Sequence, residues 1–206
     1  MNKKNERTSD EIDIRDCIKS KKDDIRFFSN VGRDERERDI VKMFLSLLDV
    51  NFIEKDVRVA KKEEEPVDVF YGEARFQNKE ILDERRQRHK EYKDELQELV
   101  ETQESPALEP WFPVKFSIED AVNLAIQKAK EYGEKYPTEM KKLDLLLYFN
   151  HRDKYIKDDC LPDQDEIVRE IGWRSISVIG DCCAFVLYAD QNAPDFLKSN
   201  KRKIFR

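Results

Sequence analysis

The sequence predicts an α/β (α+β) fold, a mixed central β-sheet flanked by helices. Three observations carry that prediction. Helical and strand-like segments alternate in the order helix, three strands, helix, helix, strand, short helix, strand. Early strands read as half-buried, and late ones are continuous apolar runs, the pattern of strands covered on both faces. The stretch PVDVFYGEARFQNKE, residues 66–80, reads as two short strands around a Gly-Glu turn. Helices interspersed with such strands pack on a shared sheet.

The elements follow in order. Residues 1–30 are polar and charged, a loose arm or a peripheral helix. Residues 31–195 form a single domain. In GRDERERDIVKMFLSLLDV, Val41, Phe44, Leu45 and Leu48 recur at helical spacing, with Asp34 as N-cap. NFIEKDVRVAKK alternates in part and reads as a strand, and the hairpin comes next. DERRQRHKEYKDELQELVETQ lacks Gly and Pro and is one long charged helix. The prolines of SPALEPWFP end it, and Trp111, Phe112 and Phe116 plug the core or lid the sheet. A capping pattern from Ser117 to Asp120 opens the next helix. LDLLLYFN is a buried strand, PDQDEIVREIGW a short helix, and SISVIGDCCAFVLYA a second buried strand. Residues 196–206 form a basic tail, read as disordered.

A chain of 206 residues can bury a real core. Charged residues make up 41%, and the net charge of −6 argues against a protein wrapped on DNA over its whole surface. Four cysteines show no metal-ligand spacing, and Cys182 and Cys183 sit in an apolar run. Both are expected to be buried and unbridged. The N-terminus has no apolar core for a signal peptide, and no segment approaches a membrane span. The expectation is a soluble, cytoplasmic protein.

The hairpin carries chemistry. With Gly72-Glu73 as a two-residue type II′ turn, Tyr71 faces Ala74, Phe70 faces Arg75, Val69 faces Phe76, and Asp68 faces Gln77. Strand alternation puts Asp68, Gln77 and Lys79 on one sheet face, with opposed Cβ atoms ~5 Å apart. Glu80 points the other way. Such a face is either ordinary solvated surface or a metal-dependent phosphodiester site. In the second case Asp68 anchors a divalent cation and Gln77 adds a neutral oxygen. Lys79 orients water or steadies the charge developing on the phosphate.

Pro66-Val67-Asp68 with Gln77-Asn78-Lys79 resembles the active-site signature of the PD-(D/E)XK nuclease superfamily. ARFQNKEILDERRQRHKEY resembles, more particularly, a small bacterial family of uncharacterised endonuclease-type proteins. The resemblance implies a restriction-endonuclease-like core, Mg²⁺ or Mn²⁺ as cofactor, and nucleic acid, DNA first, as substrate. It implies catalytic roles for Asp68, Gln77 and Lys79. The chain departs from the pattern at two points. Gln77 stands where an acid is expected, which removes a negative charge from the metal site, and Val67 separates Pro66 from Asp68. Superfamily members often supply an extra acid from their first helix. Glu37, in line with Val41, Phe44 and Leu48, could restore the missing charge as a metal ligand.

Arg85, Arg88, His89 and Tyr92 fall on one helical face, a basic and aromatic surface suited to the nucleic-acid backbone. The alternative is a solvated helix face. His151 reads as a loop residue at a strand end. At the level of the whole protein, the alternative to an endonuclease is a catalytically silent fold that binds nucleic acid or protein.

Overall fold

In the computed structural model, described for residues 14–83, 86–104, 112–151, 154–157, 160–180 and 182–206, a seven-stranded sheet carries most of the chain. The helices are α1 (Ile14–Phe27), α2 (Arg33–Leu47), α3 (Arg88–Thr102), α4 (Ile118–Gly133), α5 (Asp165–Ile171) and α6 (Asp195–Ser199). The strands are β1 (Val57–Val59), β2 (Val69–Tyr71), β3 (Ala74–Leu82), β4 (Val114–Ser117), β5 (Asp144–Asn150), β6 (Lys154–Lys157), β7 (Ser175–Ile179), β8 (Ala184–Ala189) and β9 (Ile204–Phe205). The chain divides into two units, Met1–Arg36 with Arg85–Pro110, and Glu37–Glu84 with Trp111–Arg206.

In the first unit, α1 and α3 meet through side chains. The Lys21 ammonium lies 2.6 Å from the Glu95 carboxylate. The rings of Phe28 and Tyr92 are 5.4 Å apart, and the Arg88 guanidinium sits 3.6 Å above the Phe28 ring. Gly32 precedes α2, and a Cβ there would come 2.4 Å from the Phe27 carbonyl oxygen, so the approach needs glycine. The helix starts at Arg33. Asp34, expected as its N-cap, is therefore inside the first turn, where a carboxylate still favours the positive end of the dipole.

In the second unit the strand order is β1-β2-β3-β5-β7-β8-β9. β3, β5 and β7 run parallel, and the flanking pairs are antiparallel. One face is covered by α2, whose Ile40, Val41, Phe44 and Leu45 pack with Val69, Phe76, Leu146 and Val186. The other is covered by α4, whose Ala121, Val122 and Ala125 pack with Leu145, Leu147, Val178 and Phe185. Alternate residues of β5 thus enter different cores, which is why its sequence is apolar throughout. α4 is capped as the sequence predicts, the Ser117 hydroxyl accepting the Asp120 N–H at 3.0 Å.

The structure corrects several expectations. SISVIGDCCAFVLYA is two antiparallel strands, β7 and β8, closed by a bond from the Gly180 N–H to the Cys183 carbonyl at 2.8 Å. Both strands are buried, so apolar content hides the turn between them. Cys183 is buried but Cys182, in that turn, is exposed; both are free thiols. Phe112 is exposed rather than plugging the core, Phe116 packs against the core as expected, and Trp111 lies outside the described residues. The last residues are not a disordered tail. α6 and β9 lie there, with Ile204 and Phe205 paired to Phe185 and Ala184. The basic side chains find acids distant in sequence, Lys201 on Asp165 at 2.6 Å and Arg202 on Asp163 at 2.7 Å. The parallel pair β4-β6 is an addition the sequence did not suggest. Among the described residues no helix is long and apolar enough to cross a membrane.

Candidate active site

The β2-β3 hairpin has the register read from the sequence. Val69 pairs with Phe76, Phe70 with Arg75 and Tyr71 with Ala74. Gly72 has φ 53° and Glu73 stays out of the left-handed region, the combination of a type II′ turn rather than I′. Asp68 lies just ahead of β2, fixed by its own backbone. Its N–H donates to the Phe76 carbonyl at 2.8 Å, and its carbonyl accepts the Ala60 N–H at 2.8 Å.

That anchoring brings Asp68, Gln77 and Lys79 together. Gln77 Nε2 donates to Asp68 Oδ2. The Asn78 N–H donates to the same oxygen at 2.9 Å, and the Lys79 ammonium lies 3.6 Å away. Lys79 Nζ also donates to the Asn78 carbonyl at 2.9 Å and sits 5.7 Å over the Tyr132 ring of α4. Burial pushes the Tyr132 phenol up, so a neutral ring faces the ammonium. The cluster is not the solvated face the sequence suggested. Asp68 is 8% exposed and Gln77 2%, because α4 covers this side of the sheet.

Asn78, between Gln77 and Lys79, points to the opposite face and donates its side-chain amide to the Glu37 carbonyl of α2 at 3.0 Å. Glu37 is therefore tied to β3 but on the helix that packs against the other face of the sheet. Among the described residues no group of three or more His, Cys, Asp or Glu is placed to hold a metal. The oxygen that does fit a hard cation is Gln77 Oε1, buried without a hydrogen-bond partner beside the Asp68 carboxylate. One carboxylate and one amide oxygen would leave most of an octahedral Mg²⁺ shell to water and substrate phosphate, at a site where Asp68 is 8% exposed and Gln77 2%.

The predicted basic face of α3 does not hold together. Arg88 is buried on Phe28, and Tyr92 packs on the same ring with the Lys21 ammonium 4.9 Å above its own. Burial is the largest cause raising the Tyr92 phenol, with Asp24 adding to it. His89 is exposed, and Arg85 lies outside the described residues. The predicted face required the polar N-terminal segment to leave α3 free, and α1 instead covers it.

Two polar clusters escaped the sequence reading. Asp144 is fully buried and accepts from Arg174 Nε at 3.0 Å, from the Ser175 hydroxyl at 2.8 Å and from the Arg75 N–H at 2.8 Å. His151 is buried with its ring stacked on Phe149, and its Nδ1 lies 3.8 Å from Asp83. The one sequence signal for the first was an acid opening an otherwise apolar strand; for the second there was none, because the partners lie 68 residues apart.

The model of a protein family described as "Putative endonuclease, protein of unknown function (DUF1780)" matches residues 9–206. Among solved structures, the chain is similar to a protein of Pseudomonas aeruginosa strain PAO1 described as a protein of unknown function, PA4535, of the monooxygenase superfamily. The TM-score is 0.63 at 24% identity, covering 93% of this chain and 92% of that one. At that identity the likeness is one of fold. No curated protein matches the chain.

Proposed function

This chain belongs to the DUF1780 family, and on that footing we propose that it is a metal-dependent endonuclease of the PD-(D/E)XK type, with a restriction-endonuclease-like core, acting on nucleic acid and on DNA first. The observation that supports this reading best is the convergence of Asp68, Gln77 and Lys79 on one side of a single hairpin, with the Lys79 ammonium 3.6 Å from the Asp68 carboxylate.

Asp68 and Gln77 Oε1 are the residues that would hold Mg²⁺ or Mn²⁺. Such a cation lowers the pKa of bound water and offsets charge on the phosphate. The rest falls to the chain itself. Lys79, held by the Asn78 carbonyl, presents a point cation to a non-bridging phosphate oxygen and steadies the charge that builds as water attacks phosphorus. Its proximity to Asp68 keeps it oriented until substrate arrives. The attacking water gives its proton to solvent, the bond from phosphorus to the 3′ or 5′ oxygen breaks, and that leaving oxygen takes a proton from solvent. Asn78 clamps β3 to α2 through the Glu37 carbonyl and so fixes the strand that bears both flanking residues.

A second reading, a catalytically silent member of the family, is favoured by one observation. Asp68 Oδ2 already faces three donors in a buried network, as a structural carboxylate would. Cleavage of single- and double-stranded DNA and RNA with Mg²⁺ or Mn²⁺ separates the two. The endonuclease reading expects metal-dependent cleavage that Lys79→Met lowers by about 10²–10³-fold. Wild-type protein that neither cuts nor binds millimolar Mg²⁺ or Mn²⁺ would leave the silent reading.

A further inference from the structure

Asp83, His151 and Gly180 each follow the last residue of one of three adjacent parallel strands, β3, β5 and β7. Open α/β sheets bind ligands outside such carboxyl ends. Here a cavity of about 590 Å³ opens there, lined chiefly by Phe116, Phe149, His151, Lys154, Tyr155 and Cys182. That volume suits a ligand of drug or nucleotide size. Nothing in the proposed chemistry of the hairpin uses it.

The lining says what kind of ligand fits. Phe149 and His151 are stacked with ring centroids 5.5 Å apart and planes within 4°. Phe116 lies tilted against both, at 6.3 and 5.4 Å. These rings pack on one another into one flat apolar wall, which favours a flat ring against it. Among the described residues that line the cavity, one is a cation, Lys154, 41% exposed and 5.5 Å over Phe116. Asp83 does not line the cavity; it lies 3.8 Å from His151 and 3.6 Å from Lys154, orienting both. A flat ring with an anionic group at its edge is the matching ligand.

We propose that this cavity binds a nucleotide, its base against Phe116, Phe149 and His151 and its phosphate at Lys154. The choice of a nucleotide among flat anionic ligands rests on the nuclease reading. Lys79 lies three residues before the end of β3 at Leu82, so the hairpin cluster and the cavity at the carboxyl end of β3 are roughly 10 Å apart along it, within the span of a few nucleotides of one unpaired nucleic-acid strand. The occupant is either a base of that strand or a free mononucleotide.

Cys182 makes the test direct, because its exposed thiol lines the cavity whereas Cys160 is exposed elsewhere. Wild-type protein in chelator, where no metal-dependent cleavage occurs, is alkylated with iodoacetamide, and the rate at each cysteine is read by mass spectrometry. Added in turn are a deoxynucleoside 5′-monophosphate, a short single-stranded oligonucleotide and inorganic phosphate. The expected result is alkylation of Cys182 slowed about tenfold by a saturating nucleotide ligand, since such pockets bury most of their ligand, with Cys160 unchanged. Protection by the monophosphate identifies a free nucleotide as sufficient; protection by the oligonucleotide alone identifies a strand. Lys154→Gln should weaken the oligonucleotide and reduce its salt slope by about one. No protection by either ligand, equal slowing at Cys160, or equal protection by inorganic phosphate would overturn the proposal. A protein that cuts DNA without Cys182 protection loses only the pocket. One that shows protection but never cuts loses only the nuclease reading.

Discussion

Asp68 sits at the meeting point of structure and chemistry, and its burial sets how it can be probed. Three donors converge on one carboxylate oxygen, so Asp68→Ala leaves a buried amide, a backbone N–H and an ammonium facing a void. Urea denaturation should show a loss of about 2–5 kcal/mol. Asp68→Asn keeps the shape and should cost less than half of that; equal loss in both variants would mean charge, not packing, holds the network. Gln77→Glu places a second carboxylate against the first at a site 2% exposed. In chelator the melting temperature should fall by roughly 4–10 °C, and millimolar Mn²⁺ should recover it. A variant as stable as wild type in chelator would show that the two side chains do not face each other. The identities of Asp68, Gln77 and Lys79 were legible because strand alternation and a two-residue turn fix a register. Their burial was not, because it depends on α4, a helix some 40 residues later whose docking face leaves no mark on the hairpin.

Hairpin elements differ in how openly the sequence declares them. Gly72 marks the β2-β3 turn, with Glu73 after it. A Cβ at Gly72 meets nothing within 4 Å, so Gly72→Ala should cost about 1 kcal/mol from the positive φ alone. Thermal or urea unfolding reads this, and a neutral Ala would contradict the turn type. In β7-β8, both strands are buried along their whole length and Gly180-Asp181 was the only punctuation between them. β4 and β6 are four residues each and pair across 40 positions, Val114 with Lys154, beyond what periodicity reports. At the outer edge, β1 is fastened to the turn that follows it by Arg58 and Glu64, 2.7 Å apart. The Arg58 hydrogen bond, aided by the Lys61 N–H, pulls the Glu64 carboxyl from its ordinary value of 4.5 to about 2. A depressed folded-state pKa contributes stability above pH 4.5 that is lost as pH falls toward 2. NMR titration should find Glu64 still ionised at pH 3.5 in wild type, with its midpoint raised in Arg58→Ala but still held below 4.5 by the Lys61 N–H; an unchanged midpoint would remove Arg58 as the cause.

At the scale of the molecule, the order of helices and strands was readable, and so was a mixed sheet with helices on it. The division of the chain into two units was not, because α1 and α3 are polar by composition, and α3 buries only Arg88 and Leu99 while Tyr92 is half-buried against Phe28. The chain end was not, because β9 is two residues long and its neighbouring lysine and arginine are matched by Asp165 at the start of α5 and by Asp163 just ahead of it. What the sheet does provide is a parallel centre, β3-β5-β7, with the polar hairpin cluster midway along β3 and an aromatic cavity at the strands' carboxyl ends. The central claim is that the hairpin cluster cuts phosphodiester bonds. Its most direct test is the rate at which plasmid and single-stranded DNA are cleaved in Mn²⁺ by contaminant-free wild-type protein and by Asp68→Asn of confirmed fold. Metal-dependent cleavage that falls at least about a hundredfold in Asp68→Asn is the predicted result; cleavage at equal rates by the two proteins would contradict it.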